Sequence, residues 1–244
     1  EIMPSLVGSE MCIRDRCILN IETSTTVCSV AVSNDAECIF NKEDHSGPHH
    51  NETLGAFVDE ALSFIDSHGL KLDAVAVSCG PGSYTGLRIG TSMAKGICYG
   101  RDVKLIAIPT LELLAVPVLL GEHPNEEDAL LVPMLDARRM EVYAEVFDRA
   151  LHVVRPIQAD VVTEETYKTY LDKGIVYFFG DGAGKCMSEI NHPNARYIKN
   201  ILPLAKNMFP LAEKRFAEEK FEDVAYFVPF YLKDFVAKMP KKLL

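Results

Sequence analysis

Two kinds of apolar spacing alternate along the first half of the chain. Cys17-Ile18-Leu19-Asn20-Ile21, Ala74-Val75-Ala76-Val77-Ser78 and Lys104-Leu105-Ile106-Ala107-Ile108-Pro109 are short, nearly continuous runs that read as buried strands. Val27 to Val32 alternates apolar and small residues and reads as a second strand. Asn34-Asp35 turns the chain into a third, Glu37 to Lys42. From Asn51, a plausible N-cap, the spacing changes. Leu54, Phe57, Val58, Ala61, Leu62 and Ile65 recur at helical intervals, and Ser67-His68-Gly69 closes that helix. Leu87 to Tyr99 and Thr110 to about Leu120 read as two more helices. Strand and helix alternate, which predicts an α/β fold.

Gly121 to Asp128 is polar, carries Pro124 and four acidic residues, and reads as a hinge. Beyond it come a strand from Ala129 to Leu135, the turn Asp136-Ala137-Arg138-Arg139 leading into another strand, a helix start at Thr163-Glu164-Glu165, a strand from Ile175 to Phe179, and a helix from Pro203 to Glu219. In that turn, Asp136 and the two arginines are expected to lock the backbone by ion pairs. The expected organisation is two lobes, 17–120 and a smaller 121–244. Residues 1–16 show neither periodicity and read as a stretch foreign to the fold.

Composition narrows the function. A formal net charge of -10 argues against a chain that grips nucleic acid by itself, because phosphate contacts need clustered Lys and Arg. Lys238, Lys241 and Lys242 form the one dense basic group and read as a solvated end. No apolar run is long enough to cross a bilayer. The seven cysteines form no C-x-x-C pair and mostly sit in apolar elements, so they read as reduced thiols of a cytoplasmic protein. His45, His49 and His50 cluster in one loop, but Pro48 prevents a helical pair and no metal site is assigned.

The most distinctive stretch is Cys79-Gly80-Pro81-Gly82-Ser83-Tyr84-Thr85-Gly86-Leu87-Arg88-Ile89-Gly90, a tight strand-to-helix turn. The helix after it carries Gly86, Gly90, Ser92, Ala94 and Gly96. Each interior Gly costs about 1 kcal/mol against Ala, so something packs close to the helix axis. That neighbour is either this chain's own sheet or helix, or a partner. Gly180-Asp181-Gly182-Ala183-Gly184-Lys185-Cys186 fails as a phosphate loop: the spacing is one short, and Cys186 replaces the magnesium-binding Ser or Thr.

The Gly80–Gly90 stretch resembles the signature of the TsaB (YeaZ-like) family, with Tyr84 where the family usually has Phe. Asp136-Ala137-Arg138-Arg139-Met140-Glu141-Val142-Tyr143, Gly180-Asp181-Gly182-Ala183 and Val228-Pro229-Phe230-Tyr231-Leu232-Lys233 resemble further family motifs. His50-Asn51-Glu52-Thr53-Leu54 matches one in part. Glu22 stands where the family usually has Asp. The resemblance implies a two-lobed actin-like, sugar-kinase-like ATPase (ASKHA) fold, in which Thr23-Ser24-Thr25-Thr26 would face phosphate. It also implies a sister of TsaD. Where TsaD carries a His-x-x-x-His metal motif, alignment on Pro109 puts Glu112 and Val116.

What the resemblance implies for function is a non-catalytic subunit. It would bind and activate TsaD, help recruit TsaE, and support threonylcarbamoylation of adenosine 37 in tRNAs reading A-starting codons. The tRNA would be met only through the complex. The helices Asn51–Asp66 and Leu87–Tyr99 would form a four-helix interface with TsaD, or a homodimer without it. Leu54, Val58, Leu62, Gly86, Arg88, Gly90, Met93, Ala94 and Ile97 are the expected contacts. A nucleotide at that interface is compatible with this, but no residue of this chain is assigned to it. No catalytic residue is assigned. The competing readings are a small-molecule kinase using Glu22 and Asp181, and a hydrolase using Ser83, which lacks the Gly-x-Ser-x-Gly elbow.

Overall fold

The computed structural model describes residues 16–47, 50–121 and 126–233. The expected foreign stretch, apart from Arg16, lies outside the described residues. So do Pro48, His49, Pro124 and the Lys238, Lys241 and Lys242 group.

The buried runs assemble a five-stranded mixed sheet. Its strands are β1 (Cys17–Glu22), β2 (Cys28–Asn34), β3 (Glu37–Asp44), β4 (Leu72–Gly80) and β5 (Lys104–Pro109), in the order β3-β2-β1-β4-β5. The β1–β2 and β2–β3 pairs are antiparallel; β1–β4 and β4–β5 are parallel. Side chains alternate between faces with period two. Leu19, Ile21, Val75 and Val77 join one core with α1 (His50–Ser67) and α2 (Tyr84–Arg101). Ile18, Ala74, Ala76, Ile106 and Ile108 join the opposite core, with α3 (Thr110–Leu120) and a later helix. This is why the central strands read as continuous apolar runs.

The second sheet has the order β10-β9-β6-β7-β8. It is built from β6 (Leu130–Asp136), β7 (Glu141–Phe147), β8 (Val153–Val161), β9 (Val176–Phe179) and β10 (Ala195–Ile198). Two short helices, α4 (Lys168–Leu171) and α5 (Ala183–Cys186), cover one face. The other face meets α3. Leu113 and Val116 of α3 pack in the first sheet's core, while Leu111, Leu114, Ala115 and Val118 pack with Leu131, Leu135, Phe147 and Phe179. A helix apolar on all sides is a buried helix, and α3 lies between the two sheets.

Several elements differ from expectation. α2 begins at Tyr84, three residues early, because Ser83 caps it through its hydroxyl to the Gly86 amide. The expected long helix from Pro203 is a 3-10 turn at Ala205–Asn207 followed by α6 (Phe209–Ala217), which starts where Pro210 can occupy the first turn. That pair returns to the first sheet, Met208, Leu211 and Ala212 packing beside Ile18 and Ile106, so a cut at 120/121 leaves part of the first core in the second half. Edge strands β8 and β10 have no counterpart in the expected elements. The Asp136 turn is locked by Asp136 accepting from the Arg138 amide and pairing with Lys185, rather than by the arginine side chains.

The glycines of α2 fall into two classes. A Cβ on Gly86 would lie 2.0 Å from the Thr23 carbonyl oxygen, and one on Gly90 would lie 2.3 Å from Thr23 Oγ1. Gly96 and Gly100 would meet nothing within 4 Å. Gly90→Ala is therefore expected to destabilise the fold by about 1–3 kcal/mol through overpacking, and Gly96→Ala to stabilise it by about 0.5–1 kcal/mol. Urea unfolding of both variants checks this; equal effects would overturn the division.

Candidate functional site

The site forms where β1 ends against the start of α2. The Thr23 hydroxyl donates to the Gly86 carbonyl at 2.8 Å. The Ser83 amide donates to the Ser24 carbonyl at 2.6 Å. Gly82 has no room for a side chain, since its Cβ would lie 2.4 Å from Ser24 O, and Gly80 takes φ +111°. His50, buried at the head of α1, donates from Nε2 to the Thr25 carbonyl at 2.8 Å. The hydroxyl turn of β1 is thus held by both helices.

Glu22 closes this arrangement from beneath. It is fully buried, Oε1 accepts from the Ser24 amide at 2.5 Å, and Oε2 has no hydrogen-bond partner. Burial pushes its carboxyl up to about 7, the Ser24 hydrogen bonds offsetting this only in part. Asp181, the other acid of the kinase reading, lies beyond β9 and accepts from the Asp136 amide at 2.9 Å; burial raises its carboxyl. Ser83 is the α2 cap. His45 hydrogen-bonds Glu43 at 2.9 Å. Among the described residues, no group of three or more His, Cys, Asp or Glu could hold a metal, and no helix is long and apolar enough to cross a membrane. Glu112 pairs with Arg215 at 2.7 Å, and Val116 is buried.

Above this turn, α1 and α2 lie side by side, tied by the paired bonds of Arg101 to Asp66 at 2.7 Å. Here the expected contact set needs correction. Leu54, Val58 and Ala94 are buried in the first core, and Gly86 and Gly90 are closed off by Thr23. An apolar stripe on a sheet-packed helix is the face the sheet covers, so these five cannot meet a partner. Leu62, Met93 and Ile97 are half-buried against the same core, and Arg88 is exposed. The outward face carries instead Gly55, Ala56, Asp59 and Ser63 of α1, with Thr85, Arg88, Ser92, Gly96 and Tyr99 of α2. α1 bears Glu52, Asp59, Glu60 and Asp66 and no Lys or Arg; α2 bears Arg88, Lys95 and Arg101 and no acid.

The carboxyl end of β4, where open α/β sheets take their ligands, is covered by the chain's own later segment. The Phe230 amide donates to the Cys79 carbonyl at 2.7 Å, Phe230 O would be 2.4 Å from a Cβ on Gly80, and the Tyr231 ring lies 4.9 Å from that of Tyr84. Lys233 then pairs with Glu141 of β7. The expectations had this segment only as a motif; its docking on Gly80 was detectable solely as one more reason for a glycine.

Residues 44–170, just over half the chain, match the family model described as TsaD: tRNA N6-adenosine threonylcarbamoyltransferase. The Escherichia coli tRNA threonylcarbamoyladenosine biosynthesis protein TsaB is 28% identical over 92% of this chain and 99% of its own length. Bacillus subtilis TsaB is 32% identical over 53% of this chain and 54% of its own. A solved Pseudomonas aeruginosa structure, described as similar to the peptidase YeaZ, superposes with a TM-score of 0.75 at 22% identity, covering 89% of this chain and all of that one. The chain belongs to the TsaB (YeaZ-like) branch of the TsaD-type family. For this TsaB-family chain the two-sheet fold agrees with the expected class.

Glu22 gives the site a pH dependence. The folded chain keeps this proton up to about pH 7, whereas an unfolded glutamate releases it near 4.5. Its contribution to stability is therefore fully present below about 4.5 and lost as pH rises toward 7, at about 1.4 kcal/mol per unit. Glu22→Gln is expected to remove that part of the slope, the variant gaining on the wild type from pH 5 to pH 7 in urea unfolding. A constant difference across that range would show that Glu22 does not titrate there.

Proposed function

We propose that this chain is the non-catalytic assembly subunit of the machinery that makes N6-threonylcarbamoyladenosine at position 37 of tRNAs reading A-starting codons. It works in the cytoplasm, binds and activates a TsaD-type catalytic subunit through the outer face of α1 and α2, and helps recruit TsaE. It reaches tRNA only through that complex. Without its partner it pairs with a second copy through the same face, and any nucleotide of the complex sits at that interface. Arg88 is the contact retained from the expected set, with Leu62, Met93 and Ile97 at the margin.

The observation that carries this reading is the fate of the metal-ligand positions. On the alignment at Pro109 that the resemblance implies, one histidine position would fall on Glu112, which pairs with Arg215, and the other on Val116, which is buried in the core. The covered end of β4 supports it, because the usual ligand position on such a sheet is filled by Phe230. A net charge of -10 supports the indirect route to tRNA.

The test is co-elution with the TsaD-type protein of the same organism on a sizing column. The wild type is expected to form a one-to-one complex. Gly96→Arg, placed where nothing lies within 4 Å, is expected to abolish it while melting no lower than the wild type. If the wild type does not associate, and the isolated chain turns over ATP with a small-molecule acceptor, the assembly reading is wrong and a kinase reading replaces it.

A further inference from the structure

After α6 the chain doubles back beside α2. Glu222 forms a lone antiparallel bridge with Leu105. Asp223 accepts from the amides of Ala225 and Tyr226 at 2.8 and 3.1 Å. Lys95 of α2 donates to the carbonyls of Ala225 and Phe227 at 3.0 and 3.1 Å. The Phe230 amide and the Tyr231 ring then reach Cys79 and Tyr84. The segment 222–231 is therefore a strap lying antiparallel to α2, from its last turn to its first, and fixed at several points.

The strap sorts its side chains. Val224 and Phe227 pack against the first core. Tyr226, Val228 and Phe230 point to solvent, 83%, 71% and 46% exposed. Tyr99, 87% exposed on the last turn of α2, lines one shallow depression with Val224. The three most exposed large apolar side chains among the described residues are thus Tyr99, Tyr226 and Val228, along one edge of α2. Apolar groups gathered in this way mark interaction surfaces, and a strap already held in place loses little freedom when it binds.

The make-up of the helix face points the same way. Interface centres are anchored by large aromatic and Arg side chains, whereas the outward residues of α1 and α2 are mostly Gly, Ala and Ser. The helix pair alone is short of anchoring side chains.

Resting on the partner assigned in the proposed function, we propose that the strap is the other half of the docking surface. Tyr226, Val228 and Phe230, with Tyr99, seat an apolar patch of the TsaD-type subunit beside its helix pair. At the Phe230 end, Arg88, exposed although it donates to the Tyr84 hydroxyl at 2.8 Å, meets a carboxylate of that patch. α2 carries no acid to do so itself.

The experiment compares the affinities of wild type, Gly96→Arg and the double variant Tyr226→Ser/Val228→Asp for the purified TsaD-type protein by titration calorimetry. Melting curves and sizing profiles of the free chains run alongside, and Tyr226→Lys alone serves if the double variant fails to fold. The strap variant is expected to bind at least tenfold more weakly with an unchanged melt. Wild-type affinity in the strap variant, with binding lost in Gly96→Arg, would overturn the strap proposal and leave the assembly reading intact. Loss of self-association alone, with partner affinity kept, would overturn it too. Absence of binding by the wild type would overturn both.

Discussion

The contact on which this fold depends is the seating of Thr23 against α2. Its carbonyl and hydroxyl occupy the space where Gly86 and Gly90 lack side chains, and the hydroxyl donates to the Gly86 carbonyl. That approach sets how close α2 lies to the sheet. It also places Ser83 to cap the helix and Ser24 to receive the Ser83 amide. α1 is brought to the same turn by His50 and bound to α2 by Asp66 and Arg101. The outer helix face therefore inherits its geometry from one threonine and two glycines beneath it.

The same crossing explains why Glu22 tolerates burial. The carboxyl lies under a turn whose backbone is already committed to α2, so water has no route in and no positive side chain pairs with it. A neutral acid is the cheaper state there, since a charge without compensation in such a place is costly. Glu22 is buried and keeps its proton up to about pH 7, which makes the stability of this turn depend on pH.

Much of this was legible in the residues. The central strands announced themselves because both faces are buried, and the Gly80–Gly90 stretch carried both the turn and the family likeness. The direction of the helices was not legible. An apolar stripe at Leu54, Val58 and Ala61 looks the same whether a sheet or a partner covers it, and small residues at Gly90 and Gly96 look alike although one touches Thr23 and the other touches nothing. Strand β8 escaped because it is a half-exposed edge, with Val153, Val154 and Val161 facing solvent where strand patterning expects polar groups. The strap escaped because an extended segment has no period of its own beyond alternation, and its partners, Cys79, Tyr84 and Lys95, are more than a hundred residues away in the chain.

On the proposed assembly role, this is an enzyme-type fold kept without its chemistry. The demanding parts of such a fold are the strand ends, where backbone carbonyls and amides must be left available for a ligand and are costly if left unmet. In this chain the strap supplies those bonds itself: the Phe230 amide meets Cys79, and Lys233 reaches across to Glu141 of the second sheet. With the β4 end satisfied internally, the outer face of α2 has no part in closing it. It can carry exposed Gly96 and Gly100, at a cost in helix stability that no intramolecular contact recovers. A cost of that kind is sustained where something outside the chain makes use of the open space, and this is the physical reason to look for that use on the helix face and the strap rather than in the cleft.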